Sequence, residues 1–168
     1  EVSSFNPYWI EEPVDGENIS LLTEIKNSFN MKVVTGEKQS GLVHFRELIH
    51  KNAADIFNPD ISGMGGLVDI IKISNEASNN GISISPHCWN SMSVSASAML
   101  HVCASIPNSE KAEIFPDYLN FSKKFCELPF DIIDNKAHIN KSAGLGIVIH
   151  EDILSELSIY SLDENSND

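Results

Sequence analysis

Long apolar runs are missing from this chain of 168 residues, and no stretch approaches the roughly 20 residues that a helix needs to cross a bilayer. Its N-terminus has no basic region leading into an apolar core, so nothing there reads as a signal peptide. Cysteine is scarce. Cys88, Cys103 and Cys126 share no CxxC spacing and sit within or beside apolar segments, which argues against a zinc or disulfide framework. They read instead as reduced, packed thiols, and with the missing leader they predict a cytoplasmic protein. Positive charge is also short: 11 Lys and Arg face 24 Asp and Glu, a formal net charge of -13. A surface of that sign repels a nucleic-acid backbone or an anionic membrane, so neither is an expected partner. No nucleotide fingerprint occurs either. Gly63, Gly65 and Gly66 form a GxGG run without the GxGxxG or GK[ST] pattern, and they read as a tight strand-to-helix turn.

What is present is an ordinary globular balance, 42% apolar and 21% charged, enough for an ordered domain with a buried core. The chain opens at Glu1 without an initiator Met and enters an apolar strand within ten residues, so the start reads as truncated. Along the sequence, Tyr8 to Ile10 ends at Glu11-Glu12-Pro13, and Asn18 or Ser20 can cap a helix running to about Phe29. Lys32 to Thr35 then leads through Gly36-Glu37 into a helix from about Leu42 to His50. Ala54 to Phe57 leads through Asn58-Pro59-Asp60 into a helix from about Leu67 to Asn79. Ile82 to Ser85 leads through Pro86-His87 into Met92 to Ile106, whose small apolar residues predict a buried helix.

Four strand-helix units in succession predict a parallel α/β fold, and the absence of a dinucleotide motif favours half a barrel over a Rossmann sheet. Ala112 to Phe115 reads as one further strand. From about Phe125 the period falls to two, with Phe130-Asp131-Ile132-Ile133, a polar turn and Ala137-His138-Ile139, so this tail is not another barrel unit. Residues 1–124 are thus assigned to the half-barrel and 125–162 to a separate C-terminal segment, with a terminal helix or strand over Ile153 to Leu162. Residues 163–168 are polar enough to predict a disordered tail.

Each strand gives way to its loop at a polar residue: Glu11, Glu37, Asp60, His87 and Glu113 in order. Barrel enzymes place their chemistry at this C-terminal mouth, and five such residues in series are hard to explain as surface decoration. Two carboxylates on adjacent strands, Glu11 and Glu37, offer the hard oxygen ligands magnesium prefers. Asp60 on the next strand can accept a hydrogen bond from one nitrogen of His87, which fixes the imidazole tautomer and suits the other nitrogen to act as a base. The remaining histidines, His44, His50, His101, His138 and His150, have no paired spacing at a strand end and read as surface or core residues. Cys88 adjoins His87 but has no second base beside it in sequence, so packing is its expected role.

Taken together, Trp9-Ile10-Glu11-Glu12-Pro13, Gly36-Glu37, Asn58-Pro59-Asp60 with Gly65-Gly66, and Ser85-Pro86-His87 resemble the successive strand ends of the mandelate racemase subgroup of the enolase superfamily. The intervals between Glu11, Glu37, Asp60 and His87 are 26, 23 and 27 residues, each about one barrel unit. The likeness covers nearly the whole chain, including Ala143-Gly144-Leu145-Gly146-Ile147, similar to the segment with which these enzymes return to their capping domain. It implies the C-terminal half of a (β/α)7β TIM-like barrel, with the 125–162 segment belonging to the cap. It implies magnesium held by Glu11 and Glu37, an Asp60–His87 dyad, and Glu113 as the acid that hydrogen-bonds the substrate carboxylate; Glu12 is not expected to be a ligand. Two of the family's elements, a KxK lysine strand and a first ligand aspartate, do not occur here and would precede Glu1.

The implied chemistry is removal of the proton α to a carboxylate, and the family's breadth favours dehydration of a sugar acid. Racemisation or epimerisation of a 2-hydroxy acid is the alternative, and a non-catalytic half-barrel with an incomplete site is a third. The implied substrate is a small carboxylate, and the full-length protein is expected to be a homo-oligomer. Lys38, beside Glu37, is a candidate substrate contact, against a plain solvated lysine. Trp89, on the loop after His87, is a candidate pocket wall, against packing of that loop.

Overall fold

Short β-rich runs build a parallel sheet in a computed structural model that describes residues 2–88 and 92–157. Its strands, β1 (Trp9–Glu11), β2 (Lys32–Thr35), β3 (Ile56–Phe57) and β4 (Ser83–Ile84), lie side by side in chain order. The register pairs Trp9 with Lys32, Val34 with Ile56, and Ile56 with Ser83. A helix follows each strand, as parallel neighbours require: α1 (Ile19–Ser28), α2 (Leu42–Lys51), α3 (Leu67–Ser78) and α4 (Ser93–Ser105). Asn18 caps α1, its side-chain oxygen accepting from the Leu21 amide at 3.2 Å.

The core lies between sheet and helices. Leu22, Phe45, Leu48, Phe57, Ile70 and Ile73 are fully buried there, each stabilising the fold by about 1.5–3 kcal/mol. The Phe45 and Phe57 rings meet edge to face with centroids 5.2 Å apart and lock α2 onto β3. Gly36, at φ +133°, is required by this packing, since a Cβ there would stand 2.7 Å from the Phe45 ring. Helix α4 buries Ser93, Ala96, Ser97, Ala98, Met99, Leu100 and Val102, and its small side chains allow neighbours to approach on several faces.

One predicted strand moves. The fifth rung of the sheet is not at Ala112 to Phe115: Ile84 donates to the Asn108 carbonyl at 2.9 Å and accepts from the Glu110 amide at 2.8 Å, and Ser109 forms an isolated parallel bridge to Ile84. Asn108 anchors this earlier register by donating through its side chain to the carbonyls of Ile82 at 2.8 Å and Ser74 at 3.1 Å. The short helix α5 (Pro116–Ser122) follows, with proline in its first turn.

Beyond it, β5 (Cys126–Glu127) pairs antiparallel with β8 (Val148–Ile149), and β6 (Phe130–Ile133) with β7 (Lys136–Ile139). The β6–β7 hairpin turns on Asp134 and Asn135, both at positive φ, as a two-residue turn matching strand twist demands. Phe130, Ile139 and Leu145 attach this segment to the main core, and Ser97 Oγ donates to the Leu145 carbonyl at 2.7 Å. Helix α6 (Glu151–Leu157) starts slightly earlier than the element predicted from Ile153; the rest of that element and the 163–168 tail lie outside the described residues. Among the described residues no helix is long and apolar enough to cross a membrane.

Candidate active site

The sheet positions the polar residues by its register. The β3–β4 ladder that pairs Ile56 with Ser83 continues past both strand ends to a bridge between Asp60 and His87, with the His87 amide donating to the Pro59 carbonyl at 3.2 Å. Their side chains meet as well: His87 Nδ1 is 2.9 Å from Asp60 Oδ2. A carboxylate oxygen can only accept, so this contact selects the tautomer with the proton on Nδ1 and leaves the Nε2 lone pair free. Asp60 is itself held, its Oδ1 accepting from the amides of Ser62 at 2.7 Å and Gly63 at 3.2 Å.

On the other side of the ring, His87 Nε2 faces Glu37 Oε2 at 3.5 Å and Glu113 Oε2 at 3.9 Å. Glu113 is fixed by the Cys88 amide, which donates to its Oε2 at 2.7 Å. Trp9, Glu11, Val34, Asn58, Ser85, His87, Lys111 and Glu113 are among the residues that line a pocket at this mouth. Of the residues singled out in the sequence, Glu11, His87 and Glu113 line it, with Asp60 and Glu37 contacting the histidine. Lys38 is exposed and does not line it, and Trp89 lies outside the described residues.

Two residues to which the sequence assigned no role of their own organise the mouth. Asn58, 2% exposed, donates from Nδ2 to Glu11 Oε1 at 3.0 Å. Glu12, at φ +41°, turns from the pocket and accepts through Oε1 from Thr35 Oγ1 and from the Gly36 amide, both at 2.9 Å, tying the end of β1 to the end of β2. A polar residue directly before proline signals only a turn. The buried position of Asn58 had no separate mark in the sequence.

Burial raises the Glu11 carboxyl above its ordinary value of 4.5; the hydrogen bond from Asn58 opposes this, and the nearby Glu113 and Glu37 carboxylates add to it, with His87 pulling the other way. A raised carboxyl favours the fold fully below the unfolded value and loses that contribution as pH rises through the folded one. Without divalent cations, Glu11→Gln is therefore expected to gain stability over the native protein as pH rises above about 4.5, until the carboxyl of the folded protein has ionised. Urea unfolding across that range reads it, and a constant difference between the two proteins would refute the assignment.

The same crowding tests whether a cation suits the site. Glu11 and Glu37 supply hard oxygens, and their mutual repulsion is of the kind a divalent ion relieves, so the residues present fit magnesium as two of its ligands. Among the described residues no group of three or more His, Cys, Asp or Glu side chains closes a metal site.

A parallel α/β sheet with carboxylates and a histidine gathered where its strands end defines a half-barrel with a polar mouth. Residues 1–153 match the family described as enolase C-terminal domain-like, and the chain belongs to that family. It is 95% identical to part of a crystallised enolase from the environmental genome shotgun sequencing of the Sargasso Sea, superposing with a TM-score of 0.94 over 98% of this chain and 44% of that one. It is 29% identical to an N-succinyl-L-Arg/Lys racemase of Bacillus cereus, over 90% of this chain and 40% of the racemase. It is 28% identical to an L-talarate/galactarate dehydratase of Salmonella typhimurium, over 90% of this chain and 35% of the dehydratase. The chain thus spans less than half the length of these relatives, and its fold is the C-terminal half of the family's barrel.

Proposed function

We propose that the full-length protein removes the proton α to the carboxylate of a small acid, with His87 as the base, and that its reaction is the dehydration of a sugar acid. The observation that carries this reading is the histidine between its two sets of carboxylates: Nδ1 engaged by Asp60 at 2.9 Å, Nε2 turned toward Glu37 and Glu113. Racemisation and dehydration of an acid can both begin with loss of the α proton, and the two curated relatives named above divide between these outcomes.

In this reading Glu11 and Glu37 hold magnesium, which when bound supplies Lewis-acid stabilisation of the negative charge that develops on the substrate carboxylate. His87 Nε2 takes the α proton as the C–H electron pair moves into the carbon framework, and Asp60 stabilises the imidazolium that results. In dehydration the β C–O bond then breaks, its electron pair going to the oxygen, and the hydroxyl takes the proton held on His87 Nε2 and leaves as water, which returns the ring to its neutral form. Glu113, held by the Cys88 amide, orients the substrate carboxylate, while Trp89 is proposed to wall the substrate pocket and Lys38, outside the pocket lining, to meet a polar group of the substrate from its rim. Residues 1–124 would supply the catalytic half-barrel, 125–162 the segment that meets the cap, and the working protein would be a cytoplasmic homo-oligomer.

The test is an assay of the full-length protein with Mg2+ in heavy water against a panel of sugar acids, followed by NMR. Formation of a 2-keto acid with loss of water is expected for at least one. Exchange of the α proton with inversion only would replace dehydration by racemisation, the reading favoured by the Bacillus cereus relative. No α-proton exchange in any acid would overturn the proposal. The chain of residues 1–168 alone, which supplies two of the ligands, is expected to bind Mg2+ weakly and to turn nothing over.

A further inference from the structure

Asn58 reaches from the end of β3 across β2 to Glu11, the last residue of β1. Its backbone is set independently, the amide donating to the Thr35 carbonyl at 3.1 Å. The orientation of its side chain is dictated by charge, because a reversed amide would place its oxygen against the Glu11 carboxylate. Its Oδ1, however, is buried with no hydrogen-bond partner among the described residues.

A buried amide satisfied at only one end is a poor device for stability, since an apolar side chain of similar size would leave no acceptor stranded. What the amide does accomplish is to tether one oxygen of an acid that is otherwise free to rotate. Among the described residues Glu11 accepts no other side-chain hydrogen bond. We propose that Asn58 is a positioning residue for the metal, holding Glu11 in the one orientation in which its carboxylate and that of Glu37 share an ion. The inference rests on the reading of Glu11 and Glu37 as ligands. Outer partners of this kind commonly set metal affinity although they never touch the ion.

Asn58→Leu in the full-length protein removes the donor and keeps the branched heavy-atom skeleton of the side chain. Calorimetric titration with Mg2+ alone is expected to show binding weakened about 10–100-fold. The melting temperature without divalent ions is expected to hold or rise, while the increase that Mg2+ produces shrinks. Should Asn58→Leu fail to fold, Asn58→Ser, whose hydroxyl is too short to reach Glu11, is read in the same way. Unchanged Mg2+ affinity in the variant, beside normal binding by the unaltered protein, overturns the role of Asn58 alone. Weaker binding matched by an equal loss of metal-free stability in both variants overturns it in favour of a packing role. An unaltered protein that binds no Mg2+ overturns the ligand assignment and this inference together.

Discussion

His87→Asn in the full-length protein is expected to lower kcat by about 10²–10⁴-fold, which is about 3–5 kcal/mol of transition-state stabilisation, while Mg2+ affinity changes little. The substitution removes the ring nitrogen that faces Glu37 at 3.5 Å and Glu113 at 3.9 Å, with nothing of asparagine's length to replace it as a base. The loop should survive, because the residue's main-chain amide, not its ring, makes the 3.2 Å bond to the Pro59 carbonyl. A substrate analogue without a β leaving group separates proton removal from the loss of water. In heavy water the native protein should exchange its α proton and the variant should not. Persistent exchange in His87→Asn would mean that another residue takes that proton, and the assignment of the base would fall. Glu37→Gln should show the opposite pattern, with the ion itself bound more weakly.

The elements that position this site were legible because each is set by local chemistry. Asn18, one of the two caps offered with Ser20 before an amphipathic run, starts α1, and the polar turn read between two alternating runs is the turn at Asp134 and Asn135. The spacing of 27 residues between Asp60 and His87 equals the register offset of β3 and β4, so a sequence interval translated directly into side chains at one level of the sheet. The fifth rung was misplaced for the converse reason. Alternation in Ala112 to Phe115 carries a strand signal, but the side chain of Asn108 fixes the pairing earlier through two carbonyls distant in sequence, and no local pattern reports such a bond. Helix α5 escaped for a similar reason, being too short for a periodic signal, although Pro116 followed by Asp117 is an N-terminal mark in retrospect.

The polar residues divide along the same line. Glu11, Glu37, Asp60, His87 and Glu113 could be named because the chemistry of acids and a histidine at strand ends is visible residue by residue. Asn58 and Glu12 could not, since each acts through a partner 47 or 24 residues away, and nothing about an asparagine before proline or the second acid of a pair tells a buried tether from a loop residue. A half-buried hydrogen-bond network is a property of the assembled sheet, and only the fold makes it readable.

Asp60→Asn is expected to lower kcat nearly as far as His87→Asn, although in the proposed mechanism Asp60 acts only through the ring of His87. The reason lies in the tautomers of the ring. Asp60 Oδ1 is pinned by the amides of Ser62 and Gly63, at 2.7 and 3.2 Å, and an asparagine there must keep its carbonyl oxygen at that position to satisfy both. Its NH2 then takes the place of Oδ2, 2.9 Å from His87 Nδ1, where the carboxylate had accepted a hydrogen bond. An amide can only donate from that position, so the proton of the neutral ring must move to Nε2, and the lone pair that should meet the substrate is lost. A loss of about 10²–10⁴-fold is expected at nearly constant melting temperature, since every backbone contact of the turn is retained. Asp60→Ala makes the comparison decisive. It frees the ring to populate both tautomers, so it should retain more activity than Asp60→Asn despite the larger deletion and the loss of the turn's two hydrogen bonds. Asparagine outperforming alanine in turnover would show that Asp60 serves only to shape the loop, and its proposed control of the His87 tautomer would be withdrawn.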